Sequence, residues 1–254
     1  MTQPFDLTGR VVLVTGGNGG IGLGIARACA AAGADLALWG TNEAKSEAAV
    51  EALAAPGRKV EALRCDVGDE DSVVGAFAET VERLGKVDAC FANAGVGAFS
   101  PFVDMSLSEW RTVMRVNLDG VFLTLREAAR HMVGRDEGGS LVAVSSVSAI
   151  DGAPRMQHYA SAKAGILSLM RGLAVELARH QIRCNSILPG WTATDMNAGA
   201  RGNERFMQAT TQRTPVRRWA TPDDMGPAAV FLADPSYTFH TGDAVVVDGG
   251  YTIF

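Results

Sequence analysis

The 254 residues are 47% apolar and 20% charged, which excludes a disordered chain and supplies enough hydrophobic surface for a sizeable core around one continuous sheet. A net charge of −5 and an isoelectric point near 5.4 argue against a surface built to neutralise nucleic-acid phosphates. No apolar run approaches the ~18 residues of a membrane span, and the opening MTQPFDLTGR carries no basic-then-apolar leader, so a cytoplasmic protein is expected, with no membrane partner.

Short β-branched or apolar runs alternate with segments of helical periodicity. Val11 to Val14 reads as the first strand and Ile21 to Ala32 as the first helix. Leu36 to Trp39 leads to helix Glu43 to Ala54, and Val60 to Arg64 leads to helix Glu70 to Leu84. Val87 to Ala92 precedes helix Ser108 to His131, and Ser140 to Ser145 precedes Gln157 to His180. Ile182 to Leu188, helix Pro222 to Ala233 and strand Ala244 to Val247 complete the chain. Ser106, and Thr221 followed by Pro222, are suited to start helices. The strands are continuously apolar, as expected of a parallel sheet covered on both faces. The fold class is therefore α/β, one domain over residues 1–254. Residues 192–216 have weak periodicity and contain Gly199 and Gly202; they read as a mobile lid. Cys29, Cys65, Cys90 and Cys184 form no CxxC pair and read as buried reduced thiols, and the four histidines lack metal-ligand spacing.

The first strand runs into TGGNGGIG, Thr15 to Gly22, and then into a helix. Strand, glycine turn and helix are what a dinucleotide needs: backbone that comes close to a pyrophosphate, and helix N-terminal amides that meet its charge. The glycines fit two patterns, Gly17, Gly19 and Gly22 or Gly16, Gly20 and Gly22, with Asn18 and Ile21 as further contacts. At the end of the second strand, where an acidic residue would hold ribose hydroxyls or a basic one a 2′-phosphate, stand Thr41 and Asn42. Glycine 19 puts no cation before Gly20, so the reading leans to NAD, with NADP open.

Tyr159 and Lys163 lie four residues apart, on one helical face. A phenol beside an ammonium is expected to lose its proton more readily, which makes the pair an acid/base device. With three tyrosines and four lysines in the chain, this spacing arises by chance only about 0.05 times. Ser146 follows the fifth strand at a carboxyl end, placed to donate to a substrate oxygen; Ser145 and Ser148 are rivals for that role.

Taken together, the motifs resemble the short-chain dehydrogenase/reductase family over nearly the whole chain: TGGNGGIG, CDV at Cys65 to Val67, NAG at Asn93 to Gly95, Asn117, Ser146, Tyr159-x-x-x-Lys163 and Pro189-Gly190. The resemblance implies a Rossmann-type doubly wound, seven-stranded parallel sheet flanked by helices on both faces. It implies that Asp66 and Val67 flank the adenine, and that Asn93 and Gly95 shape the pocket beneath the cofactor. Lys163 would hold the nicotinamide ribose and Asn117 a water that feeds protons to it; the alternative for Asn117 is backbone satisfaction alone. Pro189, Gly190, Thr192 and Thr194 resemble the loop that holds the carboxamide. The implied reaction is hydride transfer between a nicotinamide and a carbonyl carbon, with Tyr159 exchanging the proton.

Substrate-pocket candidates are Phe99, Ser148, Met156, Trp191, Met196, Phe206 and Met207. This largely apolar set suggests an apolar ketone or secondary alcohol, with a sugar or polyol as the alternative. A dinucleotide-binding regulator without turnover is the rival from another class. The apolar end Tyr251-Thr252-Ile253-Phe254 suggests a subunit interface, and the resemblance implies a homotetramer.

Overall fold

Alternating side chains send the strands' apolar residues to two covered faces, so the sheet feeds two cores. The computed structural model describes residues 5–254, and residues 1–4, the start of the segment read as lacking a leader, lie outside the described residues. The strands are β1 (Val11–Thr15), β2 (Asp35–Gly40), β3 (Val60–Arg64), β4 (Ala89–Ala92), β5 (Gly139–Val144), β6 (Ile182–Pro189) and β7 (Ala244–Val247). They form one sheet in the order β3-β2-β1-β4-β5-β6-β7, every pairing parallel. The chain reverses its direction of growth between β1 and β4, which opens a crevice at their carboxyl ends.

One face is covered by α1 (Gly20–Ala31), α2 (Glu43–Leu53) and α9 (Gly226–Ala233), packed on Val12, Val14, Leu38 and Phe91. The other is covered by α3 (Glu70–Leu84), α5 (Gly120–Arg135) and α6 (Gln157–Leu177), packed on Leu13, Trp39, Cys90 and Leu141. The doubly wound α/β expectation therefore holds, and the four cysteines are buried free thiols. No helix among the described residues is long and apolar enough to cross a membrane.

Three boundaries differ from expectation for identifiable reasons. Val87 lies outside β4 because α5 takes its backbone: its N–H donates to His131 Nε2 at 3.1 Å and its carbonyl accepts from Arg135 at 2.9 Å. The single helix expected from Ser108 to His131 is α4 (Leu107–Met114) and α5 with a π turn, Arg115–Asp119, between them. The wider turn accommodates an extra residue and carries the buried Asn117. Residues 192–216 contain a 3-10 turn at Asp195–Asn197 and the helices α7 (Ala198–Arg201) and α8 (Glu204–Arg213). Ser106 caps α4 in a capping box with Glu109, and Thr221 does the same with Asp224 ahead of a 3-10 turn that feeds α9.

At the end of the sheet away from the crevice, Asp88 ties β1, β4 and α5 together. Burial alone would raise its carboxyl, but the Val11 N–H at 2.9 Å, Lys86 at 3.0 Å and Arg135 at 3.0 Å outweigh burial and hold it below the usual range. Its contribution is complete above the unfolded value of about 3.9 and is lost as pH falls through the lower folded value. Asp88→Asn is expected to lower stability at neutral pH by roughly 1–3 kcal/mol, with a smaller difference at about pH 3. Urea midpoints at the two pH values measure this.

Candidate active site

The carboxyl ends of β1, β4, β5 and β6 open into a cleft of about 550 Å³. Its floor begins with the glycine turn. Gly16 and Gly20 adopt the left-handed region, at φ +62° and +50°, and a Cβ on Gly22 would stand 2.2 Å from the Gly16 carbonyl oxygen. A Cβ on Gly17 would also stand 2.8 Å from the Val14 carbonyl oxygen, so the two glycine patterns part at Gly19, and only Gly16, Gly20 and Gly22 is required at all three positions. A Cβ on Gly19 would meet nothing within 4 Å. Asn18, by contrast, ties the turn to α2, donating to Ser46 Oγ at 3.0 Å and the Asn42 carbonyl at 3.2 Å. Asn93 stitches β4 to β1, its Nδ2 donating to the Thr15 carbonyl at 2.8 Å. The turn directs the N-terminus of α1, a helix of 12 residues, into the cleft, a fitting cradle for a pyrophosphate.

Tyr159 and Lys163 face the same cleft from α6. Lys163 is 3% exposed, and its Nζ donates to the Val144 carbonyl at 2.8 Å; in return Ser145 Oγ donates to the Lys163 carbonyl at 2.8 Å. This settles Ser145 as a clasp between β5 and α6. Ser146 begins the 3-10 turn Val147–Ala149; its Oγ accepts the Ser148 N–H at 3.1 Å and also favours the Tyr159 phenolate. The expectation that the ammonium lowers the phenol is not met. Burial raises Tyr159 and Ser146 only opposes it, while Lys163 Nζ sits 5.6 Å from the ring centroid. Burial also lowers Lys163 itself to about 8.

Asn117 lies beneath the cleft. Its Nδ2 donates to the Val96 carbonyl at 2.7 Å and its Oδ1 accepts the Val96 N–H at 2.8 Å, so its carboxamide pins the loop after β4. A Cβ on Gly95 would come within 2.8 Å of that Oδ1, which explains glycine there. Pro189, Gly190, Thr192 and Thr194 line the opposite wall together with Asn197, which donates to the Thr192 carbonyl at 2.6 Å and accepts the Thr194 N–H at 3.1 Å.

Most expected cofactor residues thus converge: Gly16, Asn18, Gly20, Ile21, Asn93, Gly95 and the Pro189 loop all line the cleft. Others do not reach its lining. Gly22 lies behind the turn, Thr41 is exposed, and the Asn42 side chain caps α2 by accepting from Lys45 N at 3.0 Å. Asp66 accepts from Gly68 N and from Arg115, each at 3.0 Å, while Val67 packs on Gly120. Among substrate candidates, Phe99, Ser148, Met156, Trp191, Met196 and Phe206 line the cleft and Met207 does not. Sequence reasoning missed Lys45, which pairs with Asp195 at 2.6 Å, and Asp151 and Arg213, paired at 2.8 Å. No local pattern marks these residues, since each pair joins segments at least 62 positions apart. Tyr251, expected at an interface, lines the cleft, whereas Ile253 and Phe254 remain 88% and 69% exposed.

Residues 16–252 match the family model described as Enoyl-(Acyl carrier protein) reductase. The chain is 38% identical over 245 residues to L-rhamnose 1-dehydrogenase (NAD(P)(+)) of a Sphingomonas species, covering 96% of each chain. It is 33% identical over 255 residues to gluconate 5-dehydrogenase of Gluconobacter oxydans, covering 100% of this chain and 99% of that one. Among solved structures, a short-chain type dehydrogenase/reductase from Mycobacterium marinum superposes with TM-score 0.92 at 34% identity, covering 98% and 97% of the two chains. A gluconate 5-dehydrogenase from Burkholderia cenocepacia in complex with NADP and tartrate gives TM-score 0.93 at 34% identity, covering 98% of each.

The buried ammonium has a measurable consequence. An unfolded lysine keeps its proton to about pH 10.4, whereas folded Lys163 releases it near about 8. The unfolded chain binds more protons between those values, so stability rises with pH across that window. Lys163→Met is expected to flatten this rise in thermal midpoints recorded from about pH 7 to 10; an unchanged slope would place the effect elsewhere.

Proposed function

The chain belongs to the short-chain dehydrogenase/reductase family, and on that premise we propose that it interconverts a secondary alcohol and a ketone on a polyhydroxylated, sugar-type substrate, with Tyr159 as the general acid/base. The observation that carries the reading is the convergence of Ser146, Tyr159 and Lys163 on the same cleft as the glycine turn. A nicotinamide bound there supplies or accepts the hydride.

The chain's own residues do the rest. Gly16, Gly20 and the α1 N-terminus would hold the pyrophosphate, and Thr192 and Thr194 the carboxamide. Ser146 Oγ, already accepting from Ser148 N at 3.1 Å, has one proton to donate, which serves the Tyr159 oxygen and passes to a substrate oxygen when one takes that place. Tyr159, held protonated by burial, is ready to give its proton to a carbonyl oxygen. In the oxidative direction it must take one, and Ser146 favours the phenolate this requires. Lys163, locked on Val144, would offer its remaining N–H donors toward the ribose. Asn117 acts one step removed, by fixing Gly95 and Val96 beneath the reacting atoms. The family model's description names an enoyl reductase, but the rhamnose and gluconate relatives are named dehydrogenases, and a serine hydroxyl beside Tyr159 suits an oxygen.

The polar residues at the mouth of the cleft and the sugar names of the relatives move the reading from an apolar ketone to a polyhydroxylated one. Both NAD and NADP are proposed as cofactors. The lean to NAD is not carried further, because one relative is named for both, a neighbour holds NADP, and Lys45 brings a cation into the cleft. Residues 192–216 are proposed to move as a lid over one domain, and exposed Ile253 and Phe254 to meet a second subunit in a homotetramer.

Tyr159→Phe is expected to lower kcat/KM by about 10²–10⁴-fold while leaving dinucleotide binding, followed by protein fluorescence, nearly unchanged. Turnover that survives the loss of the hydroxyl overturns the acid/base assignment. Gly19→Arg, which meets open space, is expected to shift the kcat/KM ratio toward NADP by about tenfold or more; steady-state assays with both dinucleotides measure the shift.

A further inference from the structure

The cleft has a second polar end that the proton transfer does not use. Arg213 of α8 reaches across the mouth to Asp151, its Nη2 donating to Asp151 Oδ2 at 2.8 Å. Its Nη1 donates to the Tyr251 hydroxyl at 3.2 Å, and the guanidinium lies 4.1 Å from the Tyr251 ring centroid. Asp151 is held in turn, its Oδ1 accepting the Gly152 N–H at 2.9 Å. The lid, the turn after β5 and the C-terminal segment thereby meet at one point, and all three side chains line the cleft.

We propose that Arg213, Asp151 and Tyr251 form a hydroxyl-reading triad that selects a neutral vicinal diol, a sugar or polyol, over a sugar acid; this rests on the alcohol–ketone reading above and narrows its substrate class. The argument is one of charge and valence. A guanidinium has five N–H donors, and two are engaged here. Because all three residues line the cleft, the remaining N–H groups, the Tyr251 O–H and the unused lone pairs of Asp151 are donors and acceptors at its edge. A hydroxyl is both, so adjacent hydroxyls can accept from Arg213 and donate to Asp151. A carboxylate only accepts, and it meets an arginine whose charge is already matched and an aspartate that repels it. A substrate without hydroxyls leaves the triad's groups unpaired once water is displaced.

The neighbouring wall fits the same ligand. Trp191 and Phe206 line the cleft with rings 5.1 Å apart at 87°, and Trp191 is braced by Trp219, stacked at 5.1 Å. Flat aromatic surface beside fixed polar groups suits a ring with one C–H face and several hydroxyls. Arg213 keeps 41% of its side chain exposed, so the selectivity expected is moderate rather than absolute.

The full chain is assayed with NAD+ and NADP+ on neutral aldoses and alditols, on the matching aldonates, and on cyclohexanol. Neutral polyols are expected to exceed both other classes in kcat/KM by about tenfold or more. Arg213→Met is expected to raise KM for the best polyol by about tenfold with little change in kcat, because the contact is equal in ground and transition states. Asp151→Asn, which leaves Arg213 unmatched, is expected to move the aldonate-to-polyol ratio toward the aldonate by about tenfold. Arg213→Gln replaces Arg213→Met if the latter does not fold by circular dichroism. A wild-type preference for aldonates or cyclohexanol, or a KM unmoved in the arginine variant, overturns the triad while Tyr159-dependent turnover still supports the acid/base reading. If Tyr159-dependent turnover is absent altogether, that reading fails on its own. Calorimetric titration of the polyols into wild type and Arg213→Met then decides the triad, which requires binding that weakens in the variant.

Discussion

A buried ammonium at the end of β5 is the constraint around which the cleft is arranged. Lys163 is withdrawn from water and held by a strand carbonyl, while Ser145 from the next residue bonds back to the Lys163 carbonyl. Two bonds running in opposite directions fix the rotation and height of α6 against the sheet. Tyr159, one turn earlier on α6, and Ser146, one residue beyond the clasp, then have little freedom left. Withdrawing the charge from water disfavours it, which is why Lys163 releases its proton far below the usual lysine range. In the proposed reaction, a fixed geometry of this kind would spare Tyr159 and Ser146 from reorganising when charge develops on a substrate oxygen.

The floor of the cleft depends on close backbone approach. Gly22 lets α1 come against Gly16, and Gly95 lets the loop after β4 lie against Asn117. The π turn belongs to the same economy of space. By widening the helix at Arg115–Asp119 it puts Asn117 where both of its polar atoms meet the Val96 backbone, so a loop that carries no ladder bonds is held by two hydrogen bonds. Asn93 does likewise for the junction of β1 and β4.

The mouth is built differently, from side chains that bridge segments distant in the chain. Lys45 to Asp195 and Arg213 to Asp151 both attach the 192–216 segment to the body, one over the glycine turn and one beyond Tyr159. Both pairs are substantially exposed, so each is individually weak and screened by salt. Weak ties are compatible with the lid role proposed for this segment.

By itself the sequence determined the α/β alternation, the glycine turn, and the Ser146, Tyr159 and Lys163 set. Each of these depends on short-range chemistry: apolar periodicity, backbone freedom at glycine, and side chains one helical turn apart. It also marked Asn117, but not the π turn that aims it, because an i to i+5 bond leaves no trace in a periodicity that still reads as helix. Only the tertiary structure decided which glycine pattern is used, that burial raises Tyr159 where the ammonium was expected to lower it, and that Arg213, Asp151 and Tyr251 meet. Desolvation and pairing between segments 38 and 62 residues apart depend on what the fold brings near, and no local pattern encodes that.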